Sequence, residues 1–396
     1  MTETQDAPAF PMRRTCPFDP PPGYARMREE GPVVRGTLWN GVPTWLVTRY
    51  DEARTLLQDN RLSMEPHRLA TLAASEEGTA EGFRTIVGMD PPEHGVYRRM
   101  LTSDFTVKRV REMRPELEQV TEELVEKMLA NGGPVDLNQA LALPLATQVI
   151  CQLLGVPYAD REFFHSRSSV PVQSATAEET QTAFMELYTY LDELCAKKEA
   201  DPDEGLISRL VVEQRRTGAL THEELVHTSL LLLIVGHETS ANMVGLGALT
   251  LMDRPDVVAR AQENPELWPK VIDELLRYHS SGDWLRRAAK EDIQVGDTLI
   301  KAGDSVIALA AAANRDERAF ERPDEFDVDR TERHHLAFGY GPHQCIGQHL
   351  AKAELEIAFR ALFGKIPQLR LAVELDELPF KHDATLFGVY ELPVTW

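Results

Sequence analysis

The chain has 396 residues, of which 43% are hydrophobic, 27% charged and 7% aromatic, so it carries ample apolar material for a large core and is not a disordered chain. Its 63 acidic against 42 basic residues give a net charge of −21, which repels nucleic acid and anionic membrane and confines any acidic partner to a locally basic patch. The four cysteines, Cys16, Cys151, Cys195 and Cys345, lie far apart with no CxxC pair, which argues against a disulfide framework or zinc ribbon and for a reducing cytoplasm.

The N-terminal "MTETQDAPAFPMRRTCPFDPPPGYARM" lacks the apolar core of a signal peptide or anchor, and its prolines predict an irregular arm on the surface. "VVRGTLWNGVPTWLVTRY" predicts two short strands turning at Asn40-Gly41. From about residue 108 the periodicity is helical, with helices expected over 110–133, 143–155, 180–200, 203–218, 256–279 and 344–364. Short strands fit "EDIQVGDTLIKAGDSVIALA" and the last thirty residues. Length alone argues for several domains, but no repeat, low-complexity linker or composition break divides the chain. A single domain over residues 1–396, mainly α with a small β portion, is the expectation.

"LTHEELVHTSLLLLIVGHETSANMVGLGALTLMD" opens with Thr221 and Glu224 at capping-box spacing and predicts a helix of roughly 30 residues, about 45 Å long. His237, Glu238, Thr239, Ser240 and Asn242 interrupt its apolar run at the middle, so a buried core helix fits better than a membrane span. A carboxyl and a hydroxyl at that depth are costly unless they line a cavity, where Glu238 and Thr239 would relay protons. Gly236 reads as leaving room for a ligand against the backbone. The plainer alternative is a polar face touching solvent or a loop.

"MDPPEHGVYRRML" places His94 and Arg98 at i,i+4 on one helix face, either a solvated face or a clamp for a carboxylate, which Arg287 and His343 could complete. Glu274 and Arg277 in "DELLRYH" lie at i,i+3, a spacing with little meaning alone. "FGYGPHQCIG" sets Cys345 among three glycines and a proline, just ahead of the helical "QHLAKAELEIAFRALF".

Taken in order, HxxxR at 94–98, GxET at 236–239, ExxR at 274–277, "NRDERAFERPDEFDVDR" at 314–330 and FGxGxHxCxG at 338–347 resemble the cytochrome P-450 haem-thiolate monooxygenases. The resemblance covers essentially the whole chain and is nearest to the soluble actinobacterial branch that hydroxylates macrolides, statins, sterol-like molecules and xenobiotics. It implies the P-450 fold, a large helical domain around a long central helix, and the cofactor haem b (iron protoporphyrin IX). It implies that Cys345 is the axial thiolate, whose push of electron density favours O–O cleavage, within a cofactor loop that includes Phe338 and Gly347. His94, Arg98, Arg287 and His343 are thereby assigned to the propionates, and Glu274 with Arg277 to a structural pairing with the segment around 315–330. Glu238 and Thr239 become the catalytic pair that delivers protons. The implied reaction inserts one atom of O2 into an unactivated C–H bond of a bulky hydrophobic small molecule. Two positions depart from the family pattern: Val235 stands where alanine is usual, narrowing the pocket, and Arg286 where a proline is common. Cys16, Cys151 and Cys195 lack the loop pattern and read as packing or surface thiols.

Substrate contacts are expected in 71–90, 163–181, the Leu232–Val235 side of the long helix, "SGDWL" and "ATLFG", with Ile86, Val87, Val235, Trp284, Leu285 and Phe387 as the leading candidates, any of which could equally be core. No flavin- or nicotinamide-binding segment is present, so electrons are expected from a ferredoxin with its NAD(P)H reductase. A patch of Arg99, Lys108, Arg109, Arg111 and Lys352 would receive it. A soluble cytoplasmic monomer that binds neither nucleic acid nor membrane is the expectation. Two other readings compete: a zinc site from His334, His335, His343, His349 and Cys345, which lacks paired ligand spacing, and a non-enzymatic haem-thiolate sensor or electron carrier, which has no use for Glu238 and Thr239.

Overall fold

The computed structural model describes residues 9–69, 85–168, 170, 177–382, 384 and 386–396. They gather in two units between which the chain passes repeatedly. The first draws on Met1–Val96, Asp273–Cys345 and His382–Phe387, the second on Tyr97–Ile272, Ile346–Lys381 and Gly388–Trp396.

The first unit is built on a six-stranded sheet in the order Ala9–Phe10, Val33–Leu38, Pro43–Val47, Ser305–Leu309, Trp284–Ala289, Leu62–Ser63. The Asn-Gly turn is where the sequence puts it: Gly41 sits at φ 82°, Asn40 Oδ1 accepts from the Val42 amide at 3.2 Å, and the two strands pair antiparallel from Val33↔Val47 to Thr37↔Pro43. The N-terminal arm differs from expectation. Ala9 and Phe10 pair in parallel with Thr37 and Leu38, and Phe10 is buried among Tyr24, Met27, Leu46 and Ile307. An apolar side chain with a cluster to fill outweighs the local preference of a proline-rich segment for irregular surface.

The helix expected over 256–279 is two helices, Pro255–Glu263 and Trp268–His279. They part at Asn264–Pro265, where proline has no N–H to continue the ladder and the Asn264 side chain caps the Glu266 amide at 3.3 Å.

The second unit is organised on the helix His222–Met252, 31 residues long and opened by a full capping box: the Glu224 amide donates to Thr221 Oγ1 at 3.1 Å, and the Thr221 amide to Glu224 Oε2 at 2.8 Å. It is long and apolar enough to cross a membrane, yet it is packed by the helices Leu143–Leu154, Ala177–Ala200 and Gln348–Lys365. A small sheet of Arg370–Leu371, Pro393–Thr395 and Val135–Asp136 completes the unit. The fold is thus mainly α with a minor β portion.

Candidate functional site

Between Leu225 and Leu251 every residue of the central helix is buried except Ile234, Val235, Gly236, Glu238 and Thr239. Ile234 stacks one turn before Glu238 and Val235 one turn before Thr239, so these four share one face. Ile234 is 45% and Val235 44% exposed on a helix otherwise shut into the core. Thr239 Oγ1 donates to the Val235 carbonyl at 2.8 Å, which spends its proton on the helix and leaves the oxygen lone pairs able to accept. Glu238 Oε1 accepts from Lys381 Nζ at 3.2 Å. Gly236 does not open the backbone to a ligand. A Cβ there would lie 2.3 Å from Ile150 Cδ1, so the glycine lets the central helix press against Leu143–Leu154.

The cysteine loop belongs to the first unit. Cys345 is exposed, and its amide donates to the Phe338 carbonyl at 2.8 Å while the Gln344 amide donates to Gly341 at 3.0 Å. These bonds hold the chain in turns, so the following helix begins at Gln348 with Gly347 as its cap, rather than at Gln344. Gly341 is required twice over: its φ is 76°, and a Cβ would stand 2.7 Å from the Leu57 carbonyl oxygen. Phe338 is half-buried, its ring 5.9 Å from that of His335.

Two of the cationic candidates meet directly. The rings of His94 and His343 lie 4.0 Å apart at a 40° tilt, with His94 buried. Arg98 is half-buried one turn further along the helix Glu93–Thr102. Arg287 is only 6% exposed; its Nη1 donates to Met64 Sδ at 2.8 Å and to the Arg286 carbonyl at 2.7 Å. No carboxylate among the described residues pairs with it, and burial pulls the guanidinium down to about 10, against the opposing charge of Asp90. Asp90 itself is held by Lys290 at 3.1 Å. A cation desolvated this far fits an anionic ligand such as a propionate, and an exposed thiol on a glycine-shaped loop fits an iron ligand. The donor set therefore suits haem. Strand alternation puts Arg286 on the opposite face from Arg287, half-buried.

The histidines of the zinc reading disperse: His334 stacks on Phe320 at 5.8 Å, His335 lies 3.9 Å from Asp273 Oδ1, and His343 sits on His94. Among the described residues no group of three or more potential ligands is gathered. Cys151 and Cys195 are buried thiols pushed up to about 12 by desolvation, unsuited to react; Cys16 is half-buried.

Glu274 and Arg277 form a buried two-pronged pair, with Nε to Oε2 and Nη2 to Oε1 both at 2.8 Å. Arg277 also donates to the carbonyls of Asn314, Pro323 and Glu325, while Glu274 Oε1 accepts from the Asp327 amide at 2.8 Å and lies 3.4 Å from Arg330 Nε.

Of the expected substrate contacts, Trp284 packs at a 57° tilt on Phe10 at 4.9 Å and stacks with Trp39 at 6.4 Å, on the strand face opposite Leu285 and Arg287. Leu285 reaches toward Gly339 of the cysteine loop, within 3.9 Å of where a Cβ would be. Phe387 is pinned rather than open: Ser281 Oγ donates to its carbonyl at 2.6 Å and the Arg14 guanidinium lies 4.1 Å over its ring. Val87 is 44% exposed beside half-buried Ile86. The parts of the expected pocket at 71–84, 169, 171–176 and 385 lie outside the described residues.

Sequence reasoning passed over two residues here. Lys381, which holds Glu238, is 143 positions away and carries no local signal. Glu354 is fully buried and hydrogen-bonded to Ser240; its place one turn after Leu350 and one before Ala358, both buried, was a readable sign.

A family model described as Cytochrome P450 matches residues 163–365. The mycinamicin VIII C21 methyl hydroxylase of Micromonospora griseorubida is 47% identical over 387 residues, 98% of this chain and 99% of that protein. The vitamin D3 dihydroxylase of Streptomyces griseolus is 46% identical, with 100% of this chain and 98% of that protein covered. The crystal structure of cytochrome P450 MoxA from Nonomuraea recticatena superposes with a TM-score of 0.94 at 44% identity over 98% of each chain.

Proposed function

The chain belongs to the cytochrome P450 family, and from that membership we propose that its substrate is a bulky, mostly apolar small molecule of the macrolide, statin, sterol-like or xenobiotic kind. It is a haem-thiolate monooxygenase. Haem, when bound, supplies the activation of O2 from which one oxygen atom enters a C–H bond and the other leaves as water. In the proposed arrangement Cys345 ligates the iron within the loop that runs from Phe338 to Gly347, and Arg287, His94, Arg98 and His343 hold the propionates. Ile234, Val235, Leu285, Ile86 and Val87 offer apolar surface to the substrate, with Phe387 as a packed support.

One observation carries this reading: the single open face of the buried helix combines two aliphatic side chains with a carboxyl and a hydroxyl. The aliphatic pair favours an apolar guest and narrows the space for water, while Thr239 Oγ1 can accept a hydrogen bond from a water whose protons are replenished through Glu238. A sensor or electron carrier gains nothing from such a pair. The names of the two relatives, a mycinamicin hydroxylase and a vitamin D3 dihydroxylase, support the substrate class. Electrons are proposed to come from a ferredoxin with its NAD(P)H reductase, and the chain to work as one catalytic domain, monomeric in the cytoplasm.

Titration of the ferric protein with macrolides, statins and sterols tests the substrate class. A shift to high spin with at least one class is expected, and no shift with any would overturn it. For the relay, Thr239→Ala is expected to divert most electrons to hydrogen peroxide, a loss of coupling of about tenfold or more. Full coupling in that variant would remove Thr239 from the mechanism.

A further inference from the structure

Lys381 is a buried ammonium, 3% exposed, and a buried charge persists only where its donors are met. Its Nζ donates to Asn242 Oδ1 at 2.9 Å and to Glu238 Oε1 at 3.2 Å, and stands 5.4 Å from the centre of the Tyr390 ring. Asn242 is one helical turn after Glu238, so a single ammonium bridges two consecutive turns of the central helix and fixes the carboxylate relative to the helix axis. The lysine backbone is fixed as well. Its amide donates to the Gly388 carbonyl at 2.9 Å, Phe380 bridges Val389 in antiparallel fashion, and Gly388 approaches the helix so closely that a Cβ would lie 2.3 Å from Asn242 Oδ1. The Glu238 side chain is 30% exposed, and among the described residues its Oε2 accepts no hydrogen bond.

We infer that Lys381 is the positioning residue of Glu238: it tethers one carboxylate oxygen so that the other is presented on the open face beside Thr239. Lys381 touches neither substrate nor cofactor in this role; it sets the place from which the carboxylate exchanges protons, and a proton donor displaced by about an ångström loses much of its effect. The inference rests on the reading of Glu238 as proton donor, so the test separates the two.

Four holoproteins are compared: wild type, Glu238→Gln, Lys381→Met and the double variant, each supplied with ferredoxin, reductase and a substrate found by titration. Lys381→Met is expected to lower product formed per electron by about tenfold, with the missing electrons recovered as hydrogen peroxide and a larger solvent isotope effect on turnover. The substrate affinity read from the spin shift should stay at the wild-type value, which a merely structural role would not predict. The double variant should be no less coupled than Glu238→Gln alone, and the melting temperatures of the four should be non-additive, a readout independent of turnover. Lys381→Arg should keep most of the coupling. If Lys381→Met does not accumulate, Lys381→Gln carries the same comparison. Wild-type coupling in Lys381→Met while Glu238→Gln is uncoupled overturns this inference alone, as does a double variant in which the two losses add. Full coupling in Glu238→Gln overturns the relay reading beneath it.

Discussion

Glu354 and Arg287 are each buried with no ion pair to an oppositely charged side chain among the described residues, and the consequences run in opposite directions. Burial raises the Glu354 carboxyl from 4.5 to about 8, only partly relieved by its bond to Ser240. Between those values the folded protein keeps a proton that the unfolded chain releases. The neutral carboxyl's contribution is therefore fully present below about pH 4.5 and lost as pH rises to about 8, above which it changes no further. Glu354→Gln, neutral at every pH, should flatten this slope: its melting temperature is expected to fall less than wild type's between about pH 5 and pH 8 and to exceed it at the upper end. Parallel melting curves across that range would contradict the assignment. Arg287 is the reverse case, a buried cation pulled down to about 10 by desolvation, which the proposed propionate would relieve. Arg287→Leu should leave the fold intact and lower haem content in the purified protein several-fold, whereas Arg287→Lys, which keeps the charge but loses the planar fork, should fall between.

At the level of elements, the helix Trp268–His279 is anchored through one side chain. Arg277 joins Glu274 to three carbonyls of the segment that leads to the cysteine loop; the guanidinium, the carboxylate and Asn314 are buried, while the bonds to Pro323 and Glu325 are part-buried. Arg277→Ala would leave a carboxylate and several carbonyls without their donor, a loss of about 3–5 kcal/mol that should appear as insoluble or haem-free protein. A soluble variant with wild-type melting would refute it. Gly341→Ala attacks the same loop from the other side, through a strained φ and the Leu57 carbonyl. The features legible in the sequence were those whose causes are local: the Asn40-Gly41 hairpin, the Thr221–Glu224 capping box, and the polar break in the central helix. The carbonyl partners of Arg277 were not legible, because a backbone oxygen has no sequence identity. The separation of Trp284 from Leu285 was legible, since neighbours on a strand face opposite ways. Gly236 shows the limit of a motif: the glycine is where the family pattern puts it, but Ile150, a residue in another helix, explains its size.

For the whole molecule, a net charge of −21 would oppose the approach of the proposed acidic ferredoxin, so a docking patch would have to act by local field against the long-range one. The patch predicted from sequence divides on inspection. Glu112 lies 3.9 Å from Lys108 and 3.4 Å from Arg109 and offsets part of their charge. Arg111 forms no ion pair among the described residues. The helices Val107–Asn131 and Gln348–Lys365 run parallel, tied at Arg114–Glu356 (2.6 Å) and Lys365–Glu126 (2.6 Å), so Arg111 and Lys352 both lie about one turn before the first tie and share one end of the pair. The field should therefore be strongest there. Arg111→Glu is expected to slow reduction by ferredoxin about five- to tenfold at low salt, and Lys108→Glu by less. Both differences should shrink as ionic strength rises, because charges a Debye length of roughly 10 Å apart at 0.1 M are largely screened. Stopped-flow reduction over a salt series checks this. A salt-independent loss would mean that the arginine acts through contact or folding, and equal effects at the two positions would mean that Glu112 does not shape the field.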